Sequence, residues 1–375
     1  LFKTYPVSPV REEQSQTVGL PRVLEFWDSM PFWSTFFRAL GYRVKFSHPS
    51  SRRQYESGLQ YVASDTICFP AKLVHGHVLD LSKQGVDRIF LPYILHMPTE
   101  NKGEKSPYVC PVIMGYSMVV RNFQSPGEHF SVGFETPVFH WFSKQDRKRQ
   151  ICRYAVEHCG ATYRQAETAI LSFRHQLVEE GKRVIADTGK AGGFAVVLAG
   201  RPYHTDPLIN HDLSGMFTRR GIPVLTVDSL PGLEKADLRR SRVEITNDFH
   251  ARMLSGAMVT AEQPCLEYVQ IVSFGCGHDA ILSDEIIRLL GEGSGKPPLI
   301  LKVDESEAAG SLGIRVQSFI ETVQLRRSAQ AEQAACRLPE PYAVKYRKED
   351  RKLRTVLVPN ISAPVSTLLT ALMDR

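Results

Sequence analysis

Three of the seven cysteines stand where a sulfur could do chemistry. Cys68 lies in Thr66-Ile67-Cys68-Phe69-Pro70, Cys110 in Tyr108-Val109-Cys110-Pro111, and Cys276 in Phe274-Gly275-Cys276-Gly277. Each sits in a turn bounded by Pro or Gly, and the first and third directly precede helical patterns. Such a position faces a sulfur toward backbone N–H groups and the positive end of a helix dipole, which favours thiolate over thiol, and thiolates bind metals. The same contexts also suit buried, unligated thiols, because free Cys is among the most often buried residue types. Cys152 and Cys159, seven apart in a helical region, share one face and read as small core residues. Cys265 follows Pro264 in a connecting turn, Cys336 lies in an Ala-rich segment, and neither is given a role. No Cys-x-x-Cys pair exists, which argues against a zinc ribbon.

Other groups compete for attention. His75 and His77 are two apart on an expected helix, so their rings diverge and cannot share a metal. Arg201 and His204 form an Arg-Pro-Tyr-His turn after an apolar strand, where they could bind an anion or donate a proton; a purely structural turn, with Arg201 paired to Asp206 or a carbonyl, fits equally. Tyr203 between them reads as packed. Gly275-Cys276-Gly277-His278-Asp279-Ala280 fits G-x-G-x-x-A, follows a strand and opens a helix, and Asp304 ends the next strand, as an NAD(P) site requires. Against that reading, the match falls late in its lobe and puts a cysteine where backbone must approach a pyrophosphate.

The elements that position these residues alternate. From Pro21 the apolar run Val23 to Phe26 reads as a strand, followed by a helix from Trp33 to Leu40 closed by Gly41 and a strand at Arg43 to Phe46. Helices are expected over Ser51 to Val62 and Ala71 to Lys83, then a strand at Asp87 to Leu91. A second run follows, with strands at Phe194 to Leu198, Pro223 to Val227, Val269 to Ser273 and Pro298 to Val303. Helices near Leu213 to Arg220, Asp248 to Met258 and Asp279 to Leu290 separate them. Alternation at these lengths implies parallel, doubly wound sheets. The expectation is an α/β protein of two doubly wound parallel-sheet lobes joined by a helical segment. It divides into an extended lead-in (1–18), a first lobe (19–143), a helical connector (144–190), a second lobe (191–326) and a charged segment (327–375). In the last, Thr355 to Val358 and Val365 to Met373 look like the start of a further βα unit. With no initiating Met, a fragment of a longer polypeptide is expected.

Composition bounds the classes. At 375 residues, 43% hydrophobic and 23% charged, the chain is globular rather than disordered or fibrous. An odd cysteine count over such a length argues for a reducing compartment, and no export signal is visible, so the cytoplasm is expected. The longest apolar run, Phe194 to Ala199, is far short of the ~20 residues of a bilayer span. The charge of +6 is spread over short basic runs such as Arg147 to Arg149 and Arg239 to Arg242, which read as solvated faces rather than a nucleic-acid footprint.

Taken as an ordered set, four segments resemble the 2-hydroxyacyl-CoA dehydratase-like region of the large CoA-enzyme-activase proteins. They are Ser64 to His77, Cys110-Pro111, Leu198 to His204 and Ser273 to Asp279, within a likeness running from about Gly19 to Arg326. The resemblance implies repeated α/β lobes and a [4Fe-4S] cluster on three cysteines with an open or non-cysteine fourth position. Carried over, the ligands are Cys68, Cys110 and Cys276, with Lys72 and Asp279 as neighbours orienting them. Relatives also hold a double-cubane cluster across a dimer. The resemblance further implies ATP-driven, low-potential electron transfer to a CoA ester, giving radical dehydration or reduction of the kind found in anaerobic metabolism. It implies partnership with an actin-like ATPase activase and with further dehydratase-like sequence downstream. A cluster-free interaction domain keeping the fold is the remaining alternative.

Overall fold

The computed structural model describes residues 7–97, 108–171, 177–245, 247–306 and 309–329, with isolated positions 349, 352, 367 and 371. Residues 1–336 form one compact unit and 337–375 a second. The expected strand at Thr355 to Val358, the expected helix at Val365 to Met373 and Cys336 lie outside the described residues, the isolated helical positions 367 and 371 apart.

The first lobe runs β1 (Thr17–Leu20), α1 (Phe26–Ala39), β2 (Arg43–Phe46), α2 (Arg52–Gly58), α3 (Phe69–Lys83), β3 (Arg88–Phe90), β4 (Tyr93–His96), α4 (Pro111–Val119), α5 (Pro126–His129), β5 (Gly133–Glu135) and β6 (Val138–His140). Its sheet has the order β2-β1-β3-β5, every pair parallel, beside a small parallel β4-β6 pair. The elements from β4 to β6 add to those expected, and the opening strand differs from expectation. The strand is Thr17–Leu20, whereas Val23 to Phe26 leads into α1: Leu24 adopts φ 45°, which no strand can carry, and Phe26 turns its ring onto Phe90.

Three helices follow, α6 (Lys144–Cys159), α7 (Tyr163–Leu171) and α8 (Leu177–Lys190). They are shared between the lobes. Ile151, Cys152, Tyr154, Cys159, Ala166 and Ala169 enter the first-lobe core, while Val184 and Ile185 of α8 pack on the second. Lys148 pairs with Glu167 and Arg149 with Asp146, so the basic run at 147–149 is partnered on a solvated face.

The second lobe comprises β7 (Ala195–Ala199), α9 (Leu213–Thr218), β8 (Val224–Thr226), α10 (Asp248–Glu262), β9 (Leu266–Ser273), α11 (Gly277–Ser294), β10 (Leu299–Val303) and α12 (Ala309–Ser328). Its order is β10-β9-β7-β8, again all parallel. Strand periodicity makes it doubly wound: Ala195, Val197 and Ala199 face a core built with α10 and α11, whereas Val196 and Leu198 face one built with α9 and α12. Among the described residues no helix is long and apolar enough to cross a membrane.

In both sheets the chain reverses direction of growth beside its first strand, between β1 and β3 and between β7 and β9. Loops leaving the carboxyl ends of strands part there and open a crevice, the usual site of function in such sheets. The two crevice edges meet. Tyr203, Ile209 and Phe249 of the second lobe join the first-lobe core. Arg252 on α10 pairs at once with Asp28 on α1 (2.7 Å), Asp228 (2.8 Å) and Asp248 (2.6 Å).

Candidate functional site

Each of the three turn cysteines is the residue capping a helix N-terminus. Cys68 caps α3, Cys110 caps α4 and Cys276 caps α11, and all three thiols are half-buried. The local sequence accounts for the caps: Pro70 and Pro111 lie in the first turn, where a missing N–H costs nothing, and Gly275 takes φ +76° to bend the chain out of β9. The sulfurs therefore stand at the positive ends of three helices.

Tertiary contacts hold these ends together. α3 is set against α2 backbone to backbone: a Cβ on Gly76 would lie 2.3 Å from the Gln54 carbonyl oxygen, and one on Gly58 only 2.5 Å from the Gly76 nitrogen. Lys72, one turn after Cys68, pairs with Glu305 beyond β10 at 2.9 Å, tying α3 to the second lobe. The strand-like step before Cys110 is pinned from the other side, since the Asp248 N–H donates to the Tyr108 carbonyl at 3.3 Å. Cys276 donates its own N–H to the Ser273 carbonyl, and Asp279, fully buried, accepts from the Ser273 N–H at 3.0 Å.

Arg201 brings charge to this junction. Its guanidinium is 3% exposed, pairs with Asp279 at 2.8 Å and donates to the Cys276 Sγ at 3.1 Å. Burial opposes its charge, but Tyr203, Asp279 and the Cys276 and Cys110 sulfurs around it more than compensate, so it stays cationic. The partner is thus Asp279, not Asp206. His204 is a fixed part of the turn: its Nδ1 accepts the Arg201 N–H at 3.1 Å and its Nε2 donates to the Ser273 Oγ at 2.9 Å. Burial, then the nearby Arg201 charge, push it well below the usual histidine range, so near neutral pH it is neutral, with a single N–H. Gly200 leaves room for that ring, a Cβ there lying 2.5 Å from Nδ1.

Cys68 senses the other two sulfurs. Burial pushes the Cys68 thiol up, the Ala71 N–H pulls it back, and the Cys110 and Cys276 sulfurs push it further. Tyr203 lies buried within the same field, its hydroxyl held protonated by burial with Cys68 and Cys110 adding to the effect. His250, on α10, stands 3.5 Å from Arg201 and is pushed down to about 3 by burial, Arg201 and His278. Neither Tyr203's centrality nor His250 is visible in sequence, because both depend on the approach of the two lobes.

No group of three His, Cys, Asp or Glu among the described residues is close enough to hold one metal ion. A four-iron cube asks for something different: each thiolate binds its own iron, so the sulfurs surround a wide centre rather than share an ion. Three helix-end thiols from two lobes, with one cationic donor on a sulfur, suit that demand. His75 and His77 are both buried elsewhere in polar contacts, His75 with Gln124 and Tyr116, His77 with Ser47 and Ser50. The glycine turn at 275–280 has the strand-turn-helix form of a dinucleotide site, and the Asp304 carboxylate accepts from the Ser306 N–H at 2.8 Å.

Residues 17–230, more than half of the chain, match the family described as CoA enzyme activase uncharacterised domain. The chain belongs to that CoA enzyme activase family. The matched stretch of this activase-family domain contains Cys68, Cys110 and the Arg201 turn and ends ahead of Cys276. Among curated proteins, none matches the chain.

Proposed function

We propose that this activase-family domain binds a [4Fe-4S] cluster through Cys68, Cys110 and Cys276 and works as a low-potential electron carrier of a CoA-enzyme system. The supporting observation is the convergence of three half-buried thiols, each at a helix N-terminus, near enough for Cys68 to feel both others. Bound there by three thiolates, the cluster would supply one-electron transfer together with an open iron able to act as a Lewis acid on a substrate oxygen. The chain's own residues do the rest. The helix ends face the sulfurs with positive dipole, against the burial that pushes the Cys68 thiol up; Arg201 adds a cation beside them, and Asp279 keeps Arg201 aimed at Cys276. Tyr203, protonated and buried among them, is a nearby hydroxyl able to donate, while His204, held neutral, shapes the turn. The reading extends to dehydratase-like chemistry on CoA esters, with an ATPase activase as electron donor and dimerisation to bring a second site alongside.

Anaerobically purified full chain should be brown, hold about four irons and four sulfides, and show a reduced-cluster EPR signal. Cys68→Ser, Cys110→Ser and Cys276→Ser should each lower iron content, and Cys159→Ser should not. Iron-free, colourless protein after anaerobic reconstitution overturns the proposal. Tight NADH binding that Gly277→Val abolishes would favour the dinucleotide reading of the same turn.

A further inference from the structure

We infer that Arg201 is a positioning residue that fixes the charge at the Cys276 sulfur and thereby raises the reduction potential of a cluster bound there. It rests on the cluster reading. Among the described hydrogen bonds only one of the three thiols receives a charged donor, Cys276, from the Arg201 Nη2 at 3.1 Å. That guanidinium is shut away from water, and so is its counter-ion Asp279, which is fully buried and holds both terminal nitrogens, at 3.0 Å and 2.8 Å. The Arg201 Nε is buried with no hydrogen-bond partner, so the fork is directed by Asp279 and Cys276, with the His250 Nε2 3.5 Å from the same Nη2. Both residues leave the carboxyl ends of neighbouring strands, Arg201 after β7 and Cys276 after β9, at the point where the second sheet reverses.

The physical consequence follows from charge. Adding an electron makes the cluster more negative, and a cation donating to one of its sulfurs stabilises that state more than the oxidised one. Little water screens the interaction, so its strength depends on how well Asp279 neutralises Arg201. Removing the aspartate charge and removing both charges should therefore act in opposite directions, which a merely structural role cannot produce.

The test is an EPR-monitored dithionite titration of the full chain, anaerobically reconstituted with iron and sulfide. Asp279→Asn should shift the one-electron reduction equilibrium at least tenfold toward the reduced form, which is 59 mV upward. The Arg201→Gln/Asp279→Asn double variant should titrate below the wild-type chain, and Arg201→Lys, keeping the charge, should stay within twofold to threefold of it. The Asp279→Asn and Arg201→Lys arms carry the test even where the double variant does not fold. Potentials unchanged in Asp279→Asn and the double variant, or cluster loss from Asp279→Asn and Arg201→Lys without any shift in residual signal, overturn the inference. A wild-type chain that takes up no iron overturns the cluster reading itself, before any variant is compared.

Discussion

The clamp at Arg252 offers the most direct measure of how the lobes are held. Its guanidinium faces Asp28 from the first lobe and Asp228 and Asp248 from the second, at 2.6 to 2.8 Å, with only a fifth of its side chain exposed. Arg252→Met keeps the apolar stem and deletes the charge. At an effective dielectric constant near 20, each pair at such distances is worth a few kcal/mol of attraction, and stranding carboxylates by removing a buried partner typically costs about 3–5 kcal/mol. We expect about 3 kcal/mol at pH 7, the lower end, because the site is not wholly sealed. The loss should shrink toward pH 5: burial already pushes the Asp248 carboxyl up, and without Arg252 it would take a proton and shed part of the penalty. Urea unfolding of the apo chain reads this with two probes. Trp27, Trp33 and Trp141, the only tryptophans, all belong to the first lobe, so fluorescence follows that lobe while far-ultraviolet circular dichroism follows both. The variant should show a lower midpoint and a separation between the two curves. An unchanged midpoint, or an equal loss when Arg252→Met is made in an Asp28→Asn background, would refute an inter-lobe clamp.

Glu25 is buried at the start of α1, with one carboxyl oxygen bonded to Ser29 and the other unbonded, and burial raises it from 4.5 to about 8. A raised acid adds stability that is intact below pH 4.5 and is lost as pH climbs to about 8, so Glu25→Gln should flatten the stability profile over that range and gain up to about 5 kcal/mol at pH 8. Chemical denaturation at pH 5 and pH 8 checks it; equal slopes in both proteins would contradict it. Gly76→Ala should cost about 1–3 kcal/mol in a thermal melt because its Cβ would strike the Gln54 carbonyl at 2.3 Å. Gly189→Ala, with nothing within 4 Å in the last turn of α8, should be neutral or stabilising by up to ~1 kcal/mol.

The parallel architecture was legible because strands and helices keep their own periods over most of both lobes, and the three turn cysteines stood apart through their Pro and Gly neighbours. Val23 to Phe26 misled for a physical reason: four largely apolar residues look like a strand, yet the Leu24 backbone turns left-handed and sends the run into a helix. α12 carries Leu312, Val316, Phe319, Ile320 and Val323 on one face, a helical spacing diluted by polar and Gly residues so that it does not stand out. The Arg201–Asp279 pair could not be read at all. Its partners are 78 residues apart, and only the β7–β9 pairing makes them neighbours.

The turn from Arg201 to Asp206 is fastened at both ends to different bodies. At one end Arg201 grips Cys276 and Asp279; at the other Asp206 accepts a hydrogen bond from the Ser50 hydroxyl of the first lobe, and Tyr203 between them is buried in the first-lobe core. So short a span has no slack. The placement of the Arg201 charge on the Cys276 sulfur therefore depends on contacts that this same turn makes with the first lobe, through Ser50 and the core around Tyr203.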